Sequence, residues 1–184
     1  AQYRLIDRRP QACDLYVGIP FCTTRCAYCS FSSGEIGDGH LVEPYLKALF
    51  HEIEACARMA KEIGLHIRVG YIGGGTPSSL TTPQLERLLE QIEKRFDPFE
   101  EFTVEAGRPD TLDAQKLRML RNHPVTRISI NPQTMNDKTL ARIGRAHTAK
   151  QTVEAYELAR SIGFDDINMD VIAALPGEDY AMFA

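Results

Sequence analysis

The sequence predicts an α/β fold in which a parallel sheet covered by helices forms a partial (β/α) barrel of about five β/α units. Three observations support this fold class. Short apolar runs alternate with helical patterns, an order typical of parallel sheets with helices on their faces. Polar and glycine-rich motifs directly follow the strands, where β/α folds carry their chemistry. The first strand also lacks the Gly-x-Gly-x-x-Gly turn of a dinucleotide-binding fold.

The predicted strands are short runs rich in apolar and β-branched residues. They span residues 14–19, 67–72, 102–106, 126–130 and 166–173. Turn-forming residues mark their ends: Pro20 follows the first strand, three glycines follow the second and Pro176-Gly177 follows the fifth. Strands of this kind are expected to run parallel and to bring their carboxyl ends to one edge of the sheet.

The predicted helices are segments in which apolar residues recur every three or four positions. They span residues 42–63, 82–92, 112–121, 136–143 and 148–162. Pro44 suits the first turn of the first helix, and Thr82-Pro83 is the expected start of the second. Thr111 is the expected cap of the third helix, and Gly163 is the expected end of the last. The whole chain, 1–184, is predicted to be one core domain of a longer protein.

Composition excludes several classes of function. The net charge is −4 and no lysine and arginine cluster is present, so nucleic acid is not an expected partner. No apolar run approaches the roughly 18 residues of a membrane span. The five cysteines are an odd number, and three lie within eight residues, which favours metal binding in a reducing compartment over a disulfide framework. We therefore expect a cytoplasmic protein.

The cysteine triplet is the most informative motif of the chain. Cys22, Cys26 and Cys29 have the spacing C-x3-C-x2-C, which lets three thiolates of one short loop bind one face of a cubane cluster. A fully ligated [4Fe–4S] cluster uses four cysteines. Three cysteines leave one iron without a protein ligand, and an open coordination position is what a catalytic metal site needs.

Other readings of the cysteines remain open at this point. A zinc site of three cysteines and one histidine is possible, with His40, 11 residues beyond Cys29, as the nearest histidine. Cys13 could supply a fourth ligand, although the first predicted strand separates it from the triplet. Cys56 lies on the apolar face of a predicted helix, where a small buried side chain is the expected role.

The sequence resembles the radical S-adenosylmethionine (SAM) superfamily, because the triplet carries an aromatic residue, Tyr28, before its last cysteine. Together with the triplet, further motifs resemble the oxygen-independent coproporphyrinogen III oxidase (coproporphyrinogen dehydrogenase) family over residues 14–178. They are Leu-Tyr-Val-Gly-Ile-Pro-Phe (15–21), Tyr-Ile-Gly-Gly-Gly-Thr-Pro (71–77), Thr-Val-Glu-Ala (103–106), Arg-Ile-Ser-Ile-Asn-Pro-Gln (127–133), Arg-Ile-Gly-Arg-Ala-His (142–147) and Asn-Met-Asp-Val-Ile-Ala-Ala-Leu-Pro-Gly-Glu (168–178).

The resemblance implies two cofactors, a [4Fe–4S] cluster on the three cysteines and SAM on its open iron. It places a further set of residues around SAM: Tyr16, Gly74, Gly75, Thr76, Glu105, Gln133, Arg145 and Asp170. Gly74 to Thr76 would meet the SAM amino group, and Arg145 would form a fork to its carboxylate. Asp170 is expected within an apolar strand, where a carboxylate needs a partner. His147 is expected to be an ordinary loop histidine.

The resemblance also implies a reaction. One electron from the reduced cluster would split SAM into methionine and a 5′-deoxyadenosyl radical, and the radical would take hydrogen from a propionate of coproporphyrinogen III. Loss of carbon dioxide, twice, would give protoporphyrinogen IX in haem biosynthesis. A flavodoxin or ferredoxin is the expected electron donor for such an oxidoreductase.

The chain departs from the family pattern at several positions. Gly18 stands where close relatives often carry histidine, Ser30-Phe31 follows the last cysteine, and Gly107-Arg108 replaces a more usual asparagine. These departures leave the cofactor residues in place but bear on the substrate. The alternatives are a haem chaperone of the same family, a radical SAM enzyme with another substrate, such as a methyl transferase, and a zinc-stabilised structural module.

Overall fold

The structure, a computed structural model, describes residues 11–183 of the chain. The strands are β1 (Ala12–Ile19), β2 (Phe21–Cys22), β3 (Gly34–Glu35), β4 (His66–Gly74), β5 (Glu101–Glu105), β6 (Arg127–Ser129) and β7 (Asp166–Asn168). Five of them form one parallel sheet in the order β1, β4, β5, β6, β7, and β2 pairs with β3 separately. The predicted parallel α/β fold is confirmed, and the sheet agrees with a partial barrel.

Helices connect the successive strands of the main sheet. None of the helices in residues 11–183 combines the length and the apolar character needed to cross a bilayer. The helices are α1 (Val42–Glu62), α2 (Thr82–Arg95), α3 (Ala114–Asn122), α4 (Asp137–Arg142), α5 (Ala149–Ile162) and α6 (Tyr180–Phe183).

The register of the sheet brings the strand ends together. Gly74, the last residue of β4, lies beside Ile19, the last residue of β1. Glu105 at the end of β5 lies beside Ser129, and Ser129 lies beside Asn168. All five strands therefore end along one edge, and the segments that follow them share a common space, as the sequence predicted.

Burial in the core accounts for the regular spacing of apolar residues in the helices. The apolar face of α2 is completely buried, as is Ile72 of the neighbouring strand β4. Each such side chain stabilises the fold by ~1.5–3 kcal/mol relative to an exposed position. The buried residues of α2 are Leu85, Leu88, Leu89 and Ile92.

α2 begins at Thr82 as predicted, but the residue that caps it is Thr81 and not Thr82, because the Thr81 backbone N–H donates to the side chain of Gln84 at 3.0 Å. The predicted start of α3 was wrong by two residues. The cap of α3 is Asp113 and not Thr111, because the Asp113 carboxylate accepts the N–H of Lys116 at 2.7 Å. Thr111 instead ends a short 3₁₀ turn.

The fifth strand is also shorter than predicted. It ends at Asn168, whereas an apolar run suggested a strand to residue 173. Beyond Asn168 the chain leaves the ladder and returns only through a single bridge between Val171 and Gln133. The consequence concerns Asp170, which was expected in an apolar strand but is an exposed residue past the strand end.

Candidate cofactor site

The cysteine loop, residues 22–29, follows the end of β1 and leaves the main sheet. Its first cysteine, Cys22, belongs to β2, which pairs with β3 and closes the loop into a compact turn. The corner after α4 holds the loop from the other side: the N–H of Ala27 donates to the carbonyl of Ile143 at 3.0 Å, and the Thr24 hydroxyl donates to the carbonyl of Gly144 at 2.9 Å. Two separate segments therefore fix the shape of the loop.

One pocket at the carboxyl edge of the sheet contains the three cysteines and nearly all residues that the resemblance placed around SAM. The segments after β1, β4, β5, β6 and β7 all contribute to it. The residues are Cys22, Cys26, Cys29, Gly74, Gly75, Thr76, Glu105, Gln133, Arg145 and Asp170. Residues up to 148 positions apart, from Cys22 to Asp170, thus meet in one place.

Tyr16 is the predicted site residue that lies outside this pocket. The residue is 63% exposed, and its ring stacks on that of Tyr71 at a centroid distance of 5.8 Å. Its hydroxyl would lie 3.1 Å from a Cβ atom added at Gly73, so it reaches toward the glycine turn from the side. Contact between Tyr16 and SAM stays a prediction.

The glycine turn, residues 74–76 at the end of β4, packs directly against the cysteine loop. The Gly75 N–H donates to the carbonyl of Ile19, and the Thr76 N–H donates to the carbonyl of Phe21, both at 2.8 Å. A Cβ atom at Gly75 would lie 2.7 Å from the Phe21 carbonyl oxygen and 2.8 Å from the Sγ of Cys22. Only glycine permits this approach, so the turn sets the position of the first cysteine.

Glu105 lines the pocket and forms a polar pair with Tyr71. The Tyr71 hydroxyl donates to Glu105 Oε1 at 3.1 Å. Burial raises the pKa of the Glu105 carboxyl above its ordinary value, the hydrogen bond from Tyr71 counteracts this rise, and the charge of Asp170 adds to it. Burial and the neighbouring Glu105 also raise the pKa of the Tyr71 hydroxyl, which therefore remains a donor. The pair offers one carboxylate acceptor to a ligand.

Arg145 is one of three arginines that line the pocket, with Arg25 and Arg108. One of its terminal nitrogens, Nη2, donates to the Tyr28 hydroxyl at 3.0 Å. Its Nε and Nη1 atoms are buried and have no hydrogen-bond partner among the described residues. Buried donors of this kind are costly unless a ligand satisfies them, and a guanidinium edge matches a carboxylate in geometry and charge. The fit to a carboxylate-bearing ligand such as SAM is therefore good.

Gln133 and Asp170 approach the pocket from neighbouring segments. Gln133 has a φ of 67°, an uncommon backbone conformation for a residue other than glycine. Its N–H donates to the Asp170 carbonyl at 2.9 Å, and the Asp170 carboxylate accepts the Asn168 side chain at 2.8 Å. Strained backbone of this kind is concentrated at ligand sites. Their roles toward SAM stay predictions.

The structure bears on the two alternatives for the cysteines, a fourth cluster ligand from Cys13 and a single-metal zinc site. Cys13 lies near the start of β1, paired with Ile67, and the six steps to Ile19 place it ~20 Å from the strand end where Cys22 follows. A fourth ligand from Cys13 is thus excluded in this fold. Within residues 11–183 no three Cys, His, Asp or Glu side chains converge on a point where one metal ion could bind. A cubane does not need such convergence, because each thiolate binds a different iron.

Sequence reasoning missed two features near the loop. Arg108 is 2% exposed and donates to the Sγ of Cys26 at 3.2 Å. His147, expected in an ordinary loop, has a fully buried side chain whose Nδ1 lies 3.7 Å from Oδ1 of Asp110. No local sequence pattern around His147 predicted that its side chain is buried. The unusual Gly-Arg after Glu-Ala, by contrast, was a visible departure from the family that could have drawn attention to Arg108.

The fold and the pocket together define a radical SAM domain. Residues 16–184 match the sequence profile of the radical SAM superfamily, and the chain belongs to that superfamily. Its fold matches the crystal structure of coproporphyrinogen III oxidase (HemN) from Escherichia coli, a radical SAM enzyme, with a TM-score of 0.83 and 30% sequence identity. The superposition covers 92% of this chain and 39% of that one.

Two curated relatives indicate which members of the superfamily this chain resembles. The chain is 43% identical to the oxygen-independent coproporphyrinogen-III oxidase-like protein HemZ of Bacillus subtilis, over 92% of this chain and 34% of that protein. It is 40% identical to the haem chaperone HemW of the same organism, over 89% of this chain and 43% of that protein. The chain thus spans less than half of the length of these relatives, and it is similar both to an oxidase-like protein and to a haem chaperone.

The superfamily uses a [4Fe–4S] cluster and SAM, and the pocket fits both. The thiolates of Cys22, Cys26 and Cys29 would hold the cluster, and all three line one pocket. Polar groups approach each sulfur: Thr76 Oγ1 lies 3.5 Å from Cys22 and Ser33 Oγ lies 3.9 Å from Cys29, in addition to Arg108 at Cys26. Groups of this type orient ligands and adjust the electronic properties of a metal centre.

The Tyr71–Glu105 pair leads to a prediction about pH. We expect the affinity for SAM to weaken as the pH falls through the pKa of Glu105, because only the ionised carboxylate accepts hydrogen bonds without competition from its own proton. Tyr71→Phe removes the hydrogen bond that lowers this pKa, so the weakening should begin at a higher pH in the variant. Calorimetric titration with SAM across a pH series would measure it.

Tyr45→Phe is the matched control for this experiment. The Tyr45 hydroxyl donates to the carbonyl of Gly18, away from the residues that line the pocket. Its pH profile should superimpose on that of the parent. Identical profiles for Tyr71→Phe and the parent would show that Glu105 does not titrate in contact with SAM.

Proposed function

We propose that this chain is the cofactor-binding core of a radical SAM oxidoreductase that acts on a porphyrinogen. The substrate proposed is coproporphyrinogen III, which would be oxidatively decarboxylated to protoporphyrinogen IX in haem biosynthesis. The single observation that carries the proposal is the pocket itself. There, a loop of three cysteines shares one pocket with a glycine turn that admits backbone contact with a ligand and with the Arg145 guanidinium, whose buried Nε and Nη1 have no hydrogen-bond partner among residues 11–183.

Each residue has a definite part in this proposal. When bound, the cluster supplies the electron that splits SAM into methionine and a 5′-deoxyadenosyl radical. Cys22, Cys26 and Cys29 hold the cluster and leave one iron open. Arg145 orients the SAM carboxylate, the turn of Gly74, Gly75 and Thr76 binds the amino group, and the carboxylate of Glu105 accepts ribose hydroxyls or the ammonium. Tyr16, Gln133 and Asp170 complete the SAM site.

Similarity to HemZ and to HemN supports the porphyrinogen substrate. A second candidate, haem delivery, is favoured by the 40% identity to the haem chaperone HemW. Phe31, which follows the last cysteine by two residues, lines the pocket and is 69% exposed, so it offers an apolar surface to a large planar ligand.

A low-potential flavodoxin or ferredoxin in the cytoplasm is the proposed electron donor.

The deciding experiment uses anaerobically reconstituted full-length protein with dithionite, SAM and coproporphyrinogen III. Formation of 5′-deoxyadenosine together with the vinyl product would support the oxidase. Formation of 5′-deoxyadenosine without decarboxylation, with stoichiometric haem binding seen by absorption spectroscopy, would support the chaperone and contradict the oxidase. An electron donor is tested by replacing dithionite with reduced flavodoxin or ferredoxin in the same assay.

Arg145 provides the most direct test of SAM binding. We expect Arg145→Met to raise the Kd for SAM by ~10–100-fold, because a hydrogen bond to a charged group contributes ~1.5–3 kcal/mol and ~1.4 kcal/mol is tenfold in Kd. Arg142→Met is the control. Arg142 is an exposed arginine one turn earlier that donates to the Pro176 carbonyl at 2.9 Å. Equal affinities of the two variants for SAM would remove Arg145 from the site.

A further inference from the structure

Arg108 is the most deeply buried charged residue of the described chain, at 2% exposure. It follows β5 directly and turns toward the cysteine loop. Its two terminal nitrogens make four hydrogen bonds, and every acceptor belongs to that loop. They are Thr23 Oγ1 at 2.7 Å, Thr24 Oγ1 at 2.6 Å, the Thr24 carbonyl oxygen at 2.9 Å and Cys26 Sγ at 3.2 Å.

A buried guanidinium requires a negative charge nearby, since an isolated ion is expensive to remove from water. Among residues 11–183 the Arg108 guanidinium donates to no carboxylate. The nearest acidic side chain in sequence, Asp110, interacts electrostatically with Arg108, but its Oδ1 lies 3.7 Å from Nδ1 of His147 and it accepts no hydrogen bond from Arg108. The sulfur of Cys26 does accept a hydrogen bond from Arg108, at 3.2 Å. As a thiolate ligand of the cluster, Cys26 would add its negative charge to that of Asp110 beside the buried guanidinium.

We infer that Arg108 is a positioning residue that raises the reduction potential of the cluster by donating an N–H···S hydrogen bond to Cys26. This inference rests on the proposed function. The potential of an iron–sulfur cluster depends on its net charge, on hydrogen bonds to its sulfurs and on solvent exposure. A fixed positive charge stabilises the more negative, reduced form, and at a dry site its effect is stronger than in water.

The step that Arg108 influences is a one-electron reduction. One electron from a low-potential donor, dithionite in the experiment below, is added to the oxidised cluster and the added charge is shared with its thiolates. No proton is taken up, because the guanidinium is already and permanently protonated. Arg108 thus acts on the equilibrium of reduction and has no contact with the substrate.

The test is a potentiometric titration of the reconstituted full-length protein, followed by the EPR signal of the reduced cluster. We expect Arg108→Met, which keeps the unbranched apolar stem of the side chain, to make reduction about tenfold less favourable, which is ~59 mV for one electron. Thr23→Val is the matched control: it removes one hydrogen bond between Arg108 and the loop but leaves the bond to Cys26, so its potential should equal that of the parent.

Several outcomes would overturn the inference. Equal potentials in Arg108→Met and the parent would show that the arginine has only a structural role, and equal shifts in Arg108→Met and Thr23→Val would show that loop distortion is responsible. If Arg108→Met does not retain iron, Arg108→Gln decides: it removes the charge, and its shorter side chain ends before the position from which Nη2 reaches the Cys26 sulfur, so an unchanged potential would again refute the inference. A parent protein that assembles no cluster would instead refute the proposed function.

Discussion

Replacing Cys26 with alanine is expected to abolish both cluster assembly and the cleavage of SAM. In the proposed function the three cysteines, which line one pocket, are the protein ligands of the cluster, so the loss of one would leave two irons without a protein ligand. Iron and sulfide content should fall, the brown absorption should disappear and 5′-deoxyadenosine should drop to background. The same result is expected for Cys22→Ala and Cys29→Ala.

Cys56→Ala and Cys13→Ala are the matched controls. Cys56 is a partly buried residue of α1, and Cys13 lies near the start of β1, at the opposite end from the site. Both variants should retain the cluster and form 5′-deoxyadenosine at the parent rate. Loss of the cluster in Cys13→Ala would mean that this residue is a ligand, and SAM would then have no open iron to bind.

A methyl group added at Gly75 is expected to have the second large effect. In Gly75→Ala the new Cβ would lie 2.7 Å from the Phe21 carbonyl oxygen and 2.8 Å from the Sγ of Cys22, closer than such atoms approach in proteins. Because the obstructing atoms include backbone, the turn and the cysteine loop must separate. Overpacking of this kind costs ~1–3 kcal/mol, and we expect lower cluster occupancy as well as lower stability in urea unfolding.

Gly18→Ala gives the comparison for Gly75→Ala. Gly18 lies in β1 of the main sheet, and a Cβ atom there meets only the Tyr16 ring at 3.6 Å, an ordinary contact. This variant should assemble the cluster as the parent does. If Gly75→Ala assembles the cluster equally well, the close packing of the glycine turn does not position Cys22.

The fold and most of the site follow from short-range patterns in the sequence. Alternation of apolar runs with helical periodicity predicted the parallel sheet, because residues such as Leu88 and Ile72 are buried for reasons that local spacing reveals. The triplet and the glycine turn were recognisable because their chemistry requires fixed spacing. Their meeting in one pocket then follows from parallel strands that end at one edge.

Other features depend on contacts that no local pattern encodes. The apolar run after Asn168 satisfies the composition of a strand, yet only Val171 returns to pair with Gln133, so Asp170 is exposed. From the sequence alone, Arg108 would be interpreted as a surface charge. The fold places it beside Cys26, which lies more than 80 residues earlier in the chain. The assignment of the whole chain to one domain, and the roles of the SAM residues, stay predictions.

The central claim is that three cysteines hold a cluster whose fourth iron binds SAM. It is tested most directly by EPR of the anaerobically reconstituted, dithionite-reduced full-length protein with and without SAM. The account predicts roughly four irons and four sulfides per chain, as a [4Fe–4S] cluster requires. It also predicts a reduced-cluster signal that changes shape when SAM is added. One zinc per colourless chain, or a cluster signal that SAM leaves unchanged, would contradict it.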